Sequence, residues 1–229
     1  MPVLQLPVIS NRRGTPTTRV LRVSVADQKF AYLAGQWAQL GVAPEALKPY
    51  SIASAPCETK KHGALEFLIR DDGSGKELIP LRRGRRLYLE GPHGRFSIES
   101  APTSGHVVLL AGGTGIAPLR SMLIEVLALA KPPLITLLYS ARSSNEFAYL
   151  RELQRFARAG QIALVLTVTG GSSERWRGLS GRIGQAQIAP LVTAPADTTA
   201  LVCGPQPFVS SVRGALAEIG VKDVRAEEQ

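Results

Sequence analysis

Cysteine and long apolar runs are both scarce in this chain. Its 229 residues include 2 cysteines, Cys57 and Cys203, which lie far apart and in unlike contexts. Two such residues cannot build a disulfide framework or a cysteine-based metal site, so we expect no metal and a reducing, cytoplasmic location. The apolar stretches on either side of Lys131, Pro132 and Pro133 stay short of the roughly 18 to 20 residues that cross a bilayer. We therefore expect no membrane span.

Signals for nucleic-acid binding are weak, although the formal net charge is +9. The basic residues of "IPLRRGRRLYLE" are divided by Gly84 and flank an apolar alternation. They carry neither an interleaved aromatic platform nor a recognition-helix pattern. Positive charge does favour encounter with acidic molecules through electrostatic steering. We expect an acidic protein partner or a phosphorylated ligand, and no nucleic acid.

The hydrophobic pattern of the chain changes once, near residue 102. From Thr15 to about Ile98, short alternating segments such as "ALEFLIR" and "RRLYLEG" predict an antiparallel β-domain without helices, closed as a barrel or sandwich. After "ESAPTSG", apolar strands such as "HVVLLAG" and "LITLLYSA" alternate with helices, which is typical of a parallel α/β sheet. The sequence predicts two domains, an antiparallel β-barrel over residues 1–102 and an α/β parallel-sheet domain over residues 103–229.

A glycine-rich turn is the strongest motif. In "VVLLAGGTGIAPLRSML" a buried strand runs into residues 112–115 and then into an amphipathic helix. Glycine has no Cβ, so the backbone and the helix N-terminus can approach a pyrophosphate closely. A dinucleotide is the expected ligand. Pro118 stands where the usual pattern has its third glycine, and a plain tight turn is the alternative interpretation.

A second strand, in "LVCGPQPFV", also ends in a turn before a helix. Cys203 lies at its carboxyl end and is followed by Gly204 and Pro205. Ligands of open α/β sheets bind outside this edge, so Cys203 would face the same crevice as Thr114. A buried thiol that only fills space is the alternative, and the residues alone favour it.

Four motifs together resemble one family. "KPYSIAS", "GPHGRF", "AGGTGIAP" and "CGPQP" occur in the order and at about the separations found in the ferredoxin–NADP reductase superfamily. The resemblance covers Thr15 to the end of the chain. It implies a flavin-binding barrel followed by a nucleotide-binding α/β domain, with FAD as the flavin and FMN left open. It also implies hydride transfer between nicotinamide and flavin, and one-electron exchange with a separate ferredoxin, flavodoxin or oxygenase component.

The resemblance assigns the flavin contacts to "KPYSIAS". Tyr50 would pack against the flavin ring, Ser51 would lie near flavin N5, and Lys48 would hold a flavin phosphate. Pro49 would help to present them. Lys48 replaces the family's usual arginine and binds phosphate as a point charge rather than through a planar fork. Other candidate flavin neighbours are Ile52, Ser54, Ser74, Gly75, Lys76 and Glu77.

The resemblance assigns the nicotinamide nucleotide to the second domain. Its candidate residues are Gly113, Thr114, Gly115, Pro118, Cys203, Gly204 and Pro205. Ser140, Arg142 and Arg182 fall where NADPH-using relatives hold the ribose 2′-phosphate, a task that suits bidentate arginine. NAD-binding proteins usually have an Asp or Glu at the end of that strand, and this sequence has neither there. The expected preference is NADP(H) over NAD(H), with two solvated arginines and NADH use as the alternative.

Three residues are candidates for the reaction itself. By resemblance Ser51 lies at flavin N5, Cys203 lies near the nicotinamide, and Glu227 lies near the flavin. A frayed terminus is the alternative for Glu227. The rival functions are an NADH-using reductase component of a multicomponent oxygenase, a flavin-independent dehydrogenase, and a non-catalytic flavin-binding or docking protein.

Overall fold

The structure, a computed structural model, describes residues 2–71, 73, 75–98, 105–170 and 176–229. The chain divides into two compact units, Met1–Glu99 with Arg120–Glu125 and Ser100–Leu119 with Val126–Gln229. The predicted boundary between residues 102 and 103 lies outside the described residues, and so does the candidate site residue Ser74.

The first unit is built on an antiparallel sheet. Its strands are β1 (Leu4–Thr15), β2 (Thr18–Ser24), β3 (Trp37–Gly41), β4 (Lys48–Ser51), β5 (Ala64–Arg70) and β6 (Arg86–His93). They lie in the order β4-β3-β6-β1-β2-β5. An antiparallel bridge between Ile52, just after β4, and Phe67 in β5 joins the two ends of this order. The sheet therefore closes like a barrel, as the sequence predicts.

Alternation along the strands fills the interior of this barrel. Every second residue of β5 points inward, so Leu65, Phe67 and Ile69 are at most 1% exposed. The core they join also includes Leu6, Val8, Leu21, Val23, Leu40, Leu87 and Leu89. The aromatic ring of Tyr50 packs against the margin of this core, so the strand that carries "KPYS" is anchored from the inside.

Two expectations for the first unit were wrong. The β-structure begins at Leu4, not near Thr15: β1 pairs with β6 over Leu4–Pro7 and with β2 from Val8 onward. Pro7 lies where β1 changes partner, a position at which a strand tolerates proline. The unit also contains a helix, α1 (Pro56–His62). Its signals are present in the sequence as Pro56 at the first position and Gly63 in the left-handed conformation at the end.

The second unit is a parallel sheet with helices. Its strands are β7 (His106–Gly112), β8 (Leu134–Ala141), β9 (Ala163–Val168), β10 (Leu179–Ser180), β11 (Thr198–Gly204) and β12 (Asp223–Glu228). Its helices are α3 (Leu150–Arg158), α4 (Gln185–Ile188), α5 (Gln206–Ile219) and the two ends of α2 (Ile116–Leu127), whose middle part, Arg120–Glu125, groups with the first unit. The strand order is β10-β9-β8-β7-β11-β12. The strands predicted at "HVVLLAG" and "LITLLYSA" are confirmed residue for residue.

Phe147 lies three residues before α3, which begins at Leu150. Its ring is buried and meets the edge of the Tyr139 ring, with centroids 5.0 Å apart. Within the described ranges, no helix combines the length and the apolar character that crossing a bilayer requires.

A buried arginine holds the segment that follows β4. Residues Arg120–Glu125 of α2 group with the first unit, and Arg120 is 5% exposed. Its Nη1 donates to the carbonyl of Ala53 at 2.8 Å, and its two terminal nitrogens donate to the two Glu58 carboxylate oxygens at 3.0 and 3.1 Å. Beside it, the Ser121 hydroxyl donates to the carbonyl of Ser54 at 2.7 Å. Both carbonyls are therefore satisfied by side chains of α2.

Removal of this guanidinium should destabilise the first unit. An Arg120→Met variant removes the side-chain donor of the Ala53 carbonyl and leaves the Glu58 carboxylate with the N–H of Ala55 as its remaining donor, which should lower the free energy of unfolding by about 3 kcal/mol. Trp37 and Trp176 are the 2 tryptophans of the chain. In a Trp176→Phe background, Trp37 fluorescence during urea unfolding reports on the first unit alone.

Arg151→Met is the matched control, because Arg151 is exposed on α3. Its effect should stay within about 0.5 kcal/mol. Equal unfolding midpoints for the Arg120 and Arg151 variants would contradict the role given to the Arg120 guanidinium.

Candidate functional site

The order of the parallel strands marks one place on the sheet as a ligand crevice. From β7 the chain proceeds to β8 and β9 on one side, and later to β11 and β12 on the other. The order therefore reverses between β7 and β11. In open α/β sheets such a switch point opens a crevice beyond the carboxyl ends of the strands. The two predicted turns, after Gly112 and after Cys203, both lie at this edge.

The glycines of the first turn do different things. A Cβ on Gly115 would overlap the backbone carbonyl of Cys203, so only glycine allows the two turns to approach this closely. Gly113 has φ +56°, is exposed, and would meet no atom within 4 Å through an added Cβ. Gly115 therefore joins the turns, and Gly113 leaves backbone open to a ligand. This open backbone fits a nucleotide phosphate.

The second turn packs against the first. An added Cβ on Gly112 or Gly204 would press on the ring of Phe208 at 3.0 and 2.7 Å respectively. Gly204 is buried and Pro205 is exposed. Thr114 is half-buried at the crest of the first turn, and Pro118 is buried within the first turn of α2. The structure thus brings the candidate residues of both turns to one edge of the sheet.

Cys203 and Glu227 are direct neighbours on β11 and β12. Their Cα atoms are paired in the parallel ladder, so their side chains lie on the same face. Cys203 is fully buried. Burial, and after it the Glu227 carboxylate, raises the pKa of the Cys203 thiol. The thiol therefore stays protonated near neutral pH and cannot act as a thiolate nucleophile.

Glu227 lies within a paired strand, so the alternative of a frayed terminus does not hold. Burial raises the pKa of its carboxyl from the usual 4.5 to about 7. Its Oε2 is buried and has no hydrogen-bond partner among the described residues. A carboxyl in this state can hold a proton at neutral pH and release it to a nearby acceptor.

Two arginines lie at the same carboxyl edge of the sheet, on the side of β7 that carries β8, β9 and β10. Ala141 of β8 pairs with Val168 of β9, and Val168 pairs with Ser180 of β10. Arg142 and Arg182 follow within two residues of these positions, and both are exposed. One strand separates them, so their backbones lie about 10 Å apart.

The backbone around both arginines is fixed. The Gly170 N–H donates to the Arg142 carbonyl at 2.8 Å. The Gly181 N–H donates to the carbonyl of Val168 at 2.8 Å, and the Thr167 hydroxyl donates to the carbonyl of Gly181. Ser140 is buried at the end of β8, in register with Gly112 and Thr167. Two long side chains on a fixed edge can reach one phosphate between them.

The four residues of β4 are arranged as a strand at the end of the sheet order. Lys48, Tyr50 and Ser51 are half-buried, and Pro49 is exposed. Ser51 pairs with Trp37 of the neighbouring strand β3. The Trp37 ring in turn lies 4.6 Å from the His93 ring. An ammonium, an aromatic face and a hydroxyl thus occur within one short strand.

Lys48 forms an ion pair with Glu77. Its Nζ lies 2.9 Å from Glu77 Oε1. Partial burial by itself raises the pKa of the Glu77 carboxyl, but the hydrogen bond from Lys48, a backbone hydrogen bond and the charge of Lys48 together outweigh it and leave that pKa below its usual value. Lys76, the neighbour of Glu77, is exposed, and Gly75 is buried against the carbonyl of Arg70.

Ile52 and Ser54 are both buried, unlike the residues of β4. Ile52 is 0% exposed, and its N–H donates to the carbonyl of Gln36. The hydroxyl of Ser54 lies 3.1 Å from Tyr32 Oη and accepts a hydrogen bond from the N–H of Glu66. These positions favour a structural role for both side chains.

Arg120 is the residue that sequence reasoning missed. It falls among Leu119, Met122 and Leu123, which form the buried face of α2. A charged residue within a buried stripe is rarely without a partner. The position of Arg120 among these apolar residues was therefore the feature of the sequence that indicated a buried ion pair.

The chain combines a closed antiparallel barrel with a parallel sheet that carries a glycine turn at its switch point. A family model described as Oxidoreductase NAD-binding domain matches residues 109–214. Ferredoxin–NADP reductase B of Sorangium cellulosum is 31% identical over 227 residues, covering 93% of this chain and 91% of that protein. The chain therefore belongs to the ferredoxin–NADP reductase superfamily.

Other relatives are longer than this chain, and their names describe other electron-transfer proteins. The 2-halobenzoate 1,2-dioxygenase electron transfer component of Burkholderia cepacia is 29% identical over 90% of this chain and 60% of its own length. The chain spans between 32% and 66% of four further curated relatives. A ferredoxin NADP+ reductase structure from Neisseria gonorrhoeae has a TM-score of 0.79 at 20% identity, covering 100% of this chain and 99% of that one. It shares the fold.

The burial of Glu227 predicts a pH-dependent stability. The folded protein keeps the carboxyl protonated up to about pH 7, whereas the unfolded chain releases the proton near pH 4.5. The stabilising contribution is complete below 4.5 and is lost as the pH rises through 7. Glu227→Gln cannot ionise, so relative to this variant the wild type should lose stability from about pH 5 to about pH 8.

Urea unfolding across this range, with Trp176 as reporter in a Trp37→Phe background, measures the difference. Glu218→Gln is the control, because Glu218 is exposed on α5. A gap between wild type and the Glu227 variant that stays constant with pH would show that the carboxyl is not held protonated by burial.

Proposed function

We propose that this protein is an FAD-dependent oxidoreductase that exchanges electrons between NADP(H) and a separate acceptor protein. The observation that carries the proposal is the glycine turn at the switch point, where Gly113 leaves open backbone for a nucleotide. The similarity to ferredoxin–NADP reductase B over most of both chains supports it. So does the FAD and NADP named for the Neisseria gonorrhoeae structure of the same fold.

The residues of β4 fit a flavin. Lys48, Tyr50 and Ser51 are only half-buried, so a ligand beside β4 can contact their side chains. Tyr50 would pack against the flavin ring, Ser51 would donate to flavin N5, and Lys48 would hold a phosphate. When bound, FAD would supply two-electron exchange with a nicotinamide and one-electron exchange with an acceptor.

The residues of the switch point fit a nicotinamide nucleotide. The backbone at Gly113 and the start of α2 would face its pyrophosphate. Cys203 is fully buried, so it would support the turn beside Thr114 with a neutral thiol and would not act as a nucleophile. Glu227 would hold or release a proton at its Oε2 near neutral pH, since its pKa is about 7.

Arg142 and Arg182 support a preference for NADP(H). They leave one edge of the sheet about 10 Å apart, and each guanidinium can bind a phosphate through two hydrogen bonds. The segment that follows β8, residues 142–145, carries no carboxylate to bind a ribose 2′-hydroxyl in its place. The first acidic residue after that segment is Glu146.

The acceptor is proposed to be a separate ferredoxin or flavodoxin with an acidic surface, because the net charge of +9 would attract it. A second candidate is the NADH-using reductase component of a multicomponent oxygenase. The dioxygenase electron transfer component among the relatives favours this candidate. The two candidates differ in the nucleotide that reduces the flavin.

Anaerobic titration of the FAD-loaded protein, followed by its visible absorption, tests the proposal. We expect flavin bands that bleach at much lower NADPH than NADH concentration. Arg142→Ala and Arg182→Ala should each raise the NADPH concentration needed by about tenfold or more, the effect of losing a hydrogen bond to a charged group, and should leave NADH unchanged.

Arg213→Ala on α5 serves as the control, because it removes the same charge from an exposed helical position. Bleaching by NADH alone would favour the oxygenase component and overturn the phosphate site. A protein that binds FAD but is reduced by neither nucleotide would be a docking protein, and one that binds no flavin would overturn the proposal as a whole.

A further inference from the structure

The cation proposed to hold the flavin phosphate is already paired with a carboxylate of the same unit. Lys48 Nζ lies 2.9 Å from Glu77 Oε1. The lysine side chain is 42% exposed and the glutamate side chain 25% exposed, so the pair is open to solvent on one side. Burial raises the pKa of the Glu77 carboxyl, but the hydrogen bond and charge of Lys48 and a backbone hydrogen bond together leave it below its usual value, so the carboxyl is ionised at neutral pH.

The pair changes what an incoming phosphate meets. A free ammonium would attract a phosphate as a point charge, whereas Lys48 and Glu77 together carry no net charge. A phosphate that takes the ammonium must separate it from Glu77 and then lie beside that carboxylate. Both steps cost free energy that an uncharged neighbour would not impose. A flavin without phosphate meets neither cost.

We propose that Glu77 lowers the affinity of this protein for phosphate-bearing flavins by competing with the phosphate for Lys48, so that bound FAD or FMN exchanges with free flavin in solution. The inference rests on the proposed flavin site at β4 and adds to it a residue that sets affinity. It makes Glu77 a specificity determinant: its carboxylate reduces the advantage of FAD and FMN over riboflavin.

Equilibrium binding to the flavin-free protein tests the inference without any measurement of activity. Quenching of flavin fluorescence gives dissociation constants for FAD, FMN and riboflavin. Glu77→Gln should strengthen binding of FAD and FMN by about fivefold, the scale of a partly exposed ion pair, and should leave riboflavin unchanged. Glu77→Ala is a second variant in case the glutamine variant does not fold.

Two further variants locate the effect. Glu218→Gln removes the same charge from an exposed position on α5 and should change none of the three constants. In a Lys48→Met background, Glu77→Gln should strengthen FAD and FMN binding less than it does in the wild type, because there is no longer an ammonium for which Glu77 and the phosphate compete.

The outcomes separate this inference from the function on which it rests. Wild-type protein that binds none of the three flavins overturns the proposed function, and the role of Glu77 with it. Wild-type protein that binds them, with FAD and FMN affinities unchanged by Glu77→Gln, overturns the role of Glu77 alone. Equal strengthening of riboflavin also overturns it, because the effect would then not act through the phosphate.

Discussion

The first unit depends on how the backbone is held immediately after β4. Closure of the barrel passes through the Ile52–Phe67 bridge and the hydrogen bond from the Ala53 N–H to the Glu66 carbonyl. The carbonyl of Ala53 is then bound by the buried Arg120 guanidinium, which also binds Glu58 through two hydrogen bonds. A buried guanidinium is tolerated only with such partners. The position of β4, and therefore of Tyr50 and Ser51, follows from this closure.

Much of the architecture is readable from the chain because periodicity reports burial directly. The continuous apolar runs of β7 and β8 and the alternation of β5 match the observed strands. The start of β1 is not readable in this way, because Pro7 resembles a break until its position between two partner strands is known. The helix α1 is too short and polar to show a periodic face, and only its end signals reveal it.

The residues of the candidate site also differ in how far the sequence predicts them. Residues whose role depends on backbone geometry, such as Gly113 and Gly115, are found through the turn that needs them. Residues whose role depends on a distant partner are not. Arg120 acquires its meaning from Glu58 and Ala53, and Glu77 from Lys48. These pairs are separated widely in the sequence, and only the fold brings them together.

Diffraction from crystals grown with FAD would show whether the flavin lies on β4. We expect electron density for the flavin ring against Tyr50 and Ser51, and for the phosphates beside Lys48 with its pair to Glu77 opened. Flavin density elsewhere on the chain would rule out a flavin site on β4. An unchanged Lys48–Glu77 pair in crystals grown where binding in solution is saturated would rule out the contact between Lys48 and the phosphates.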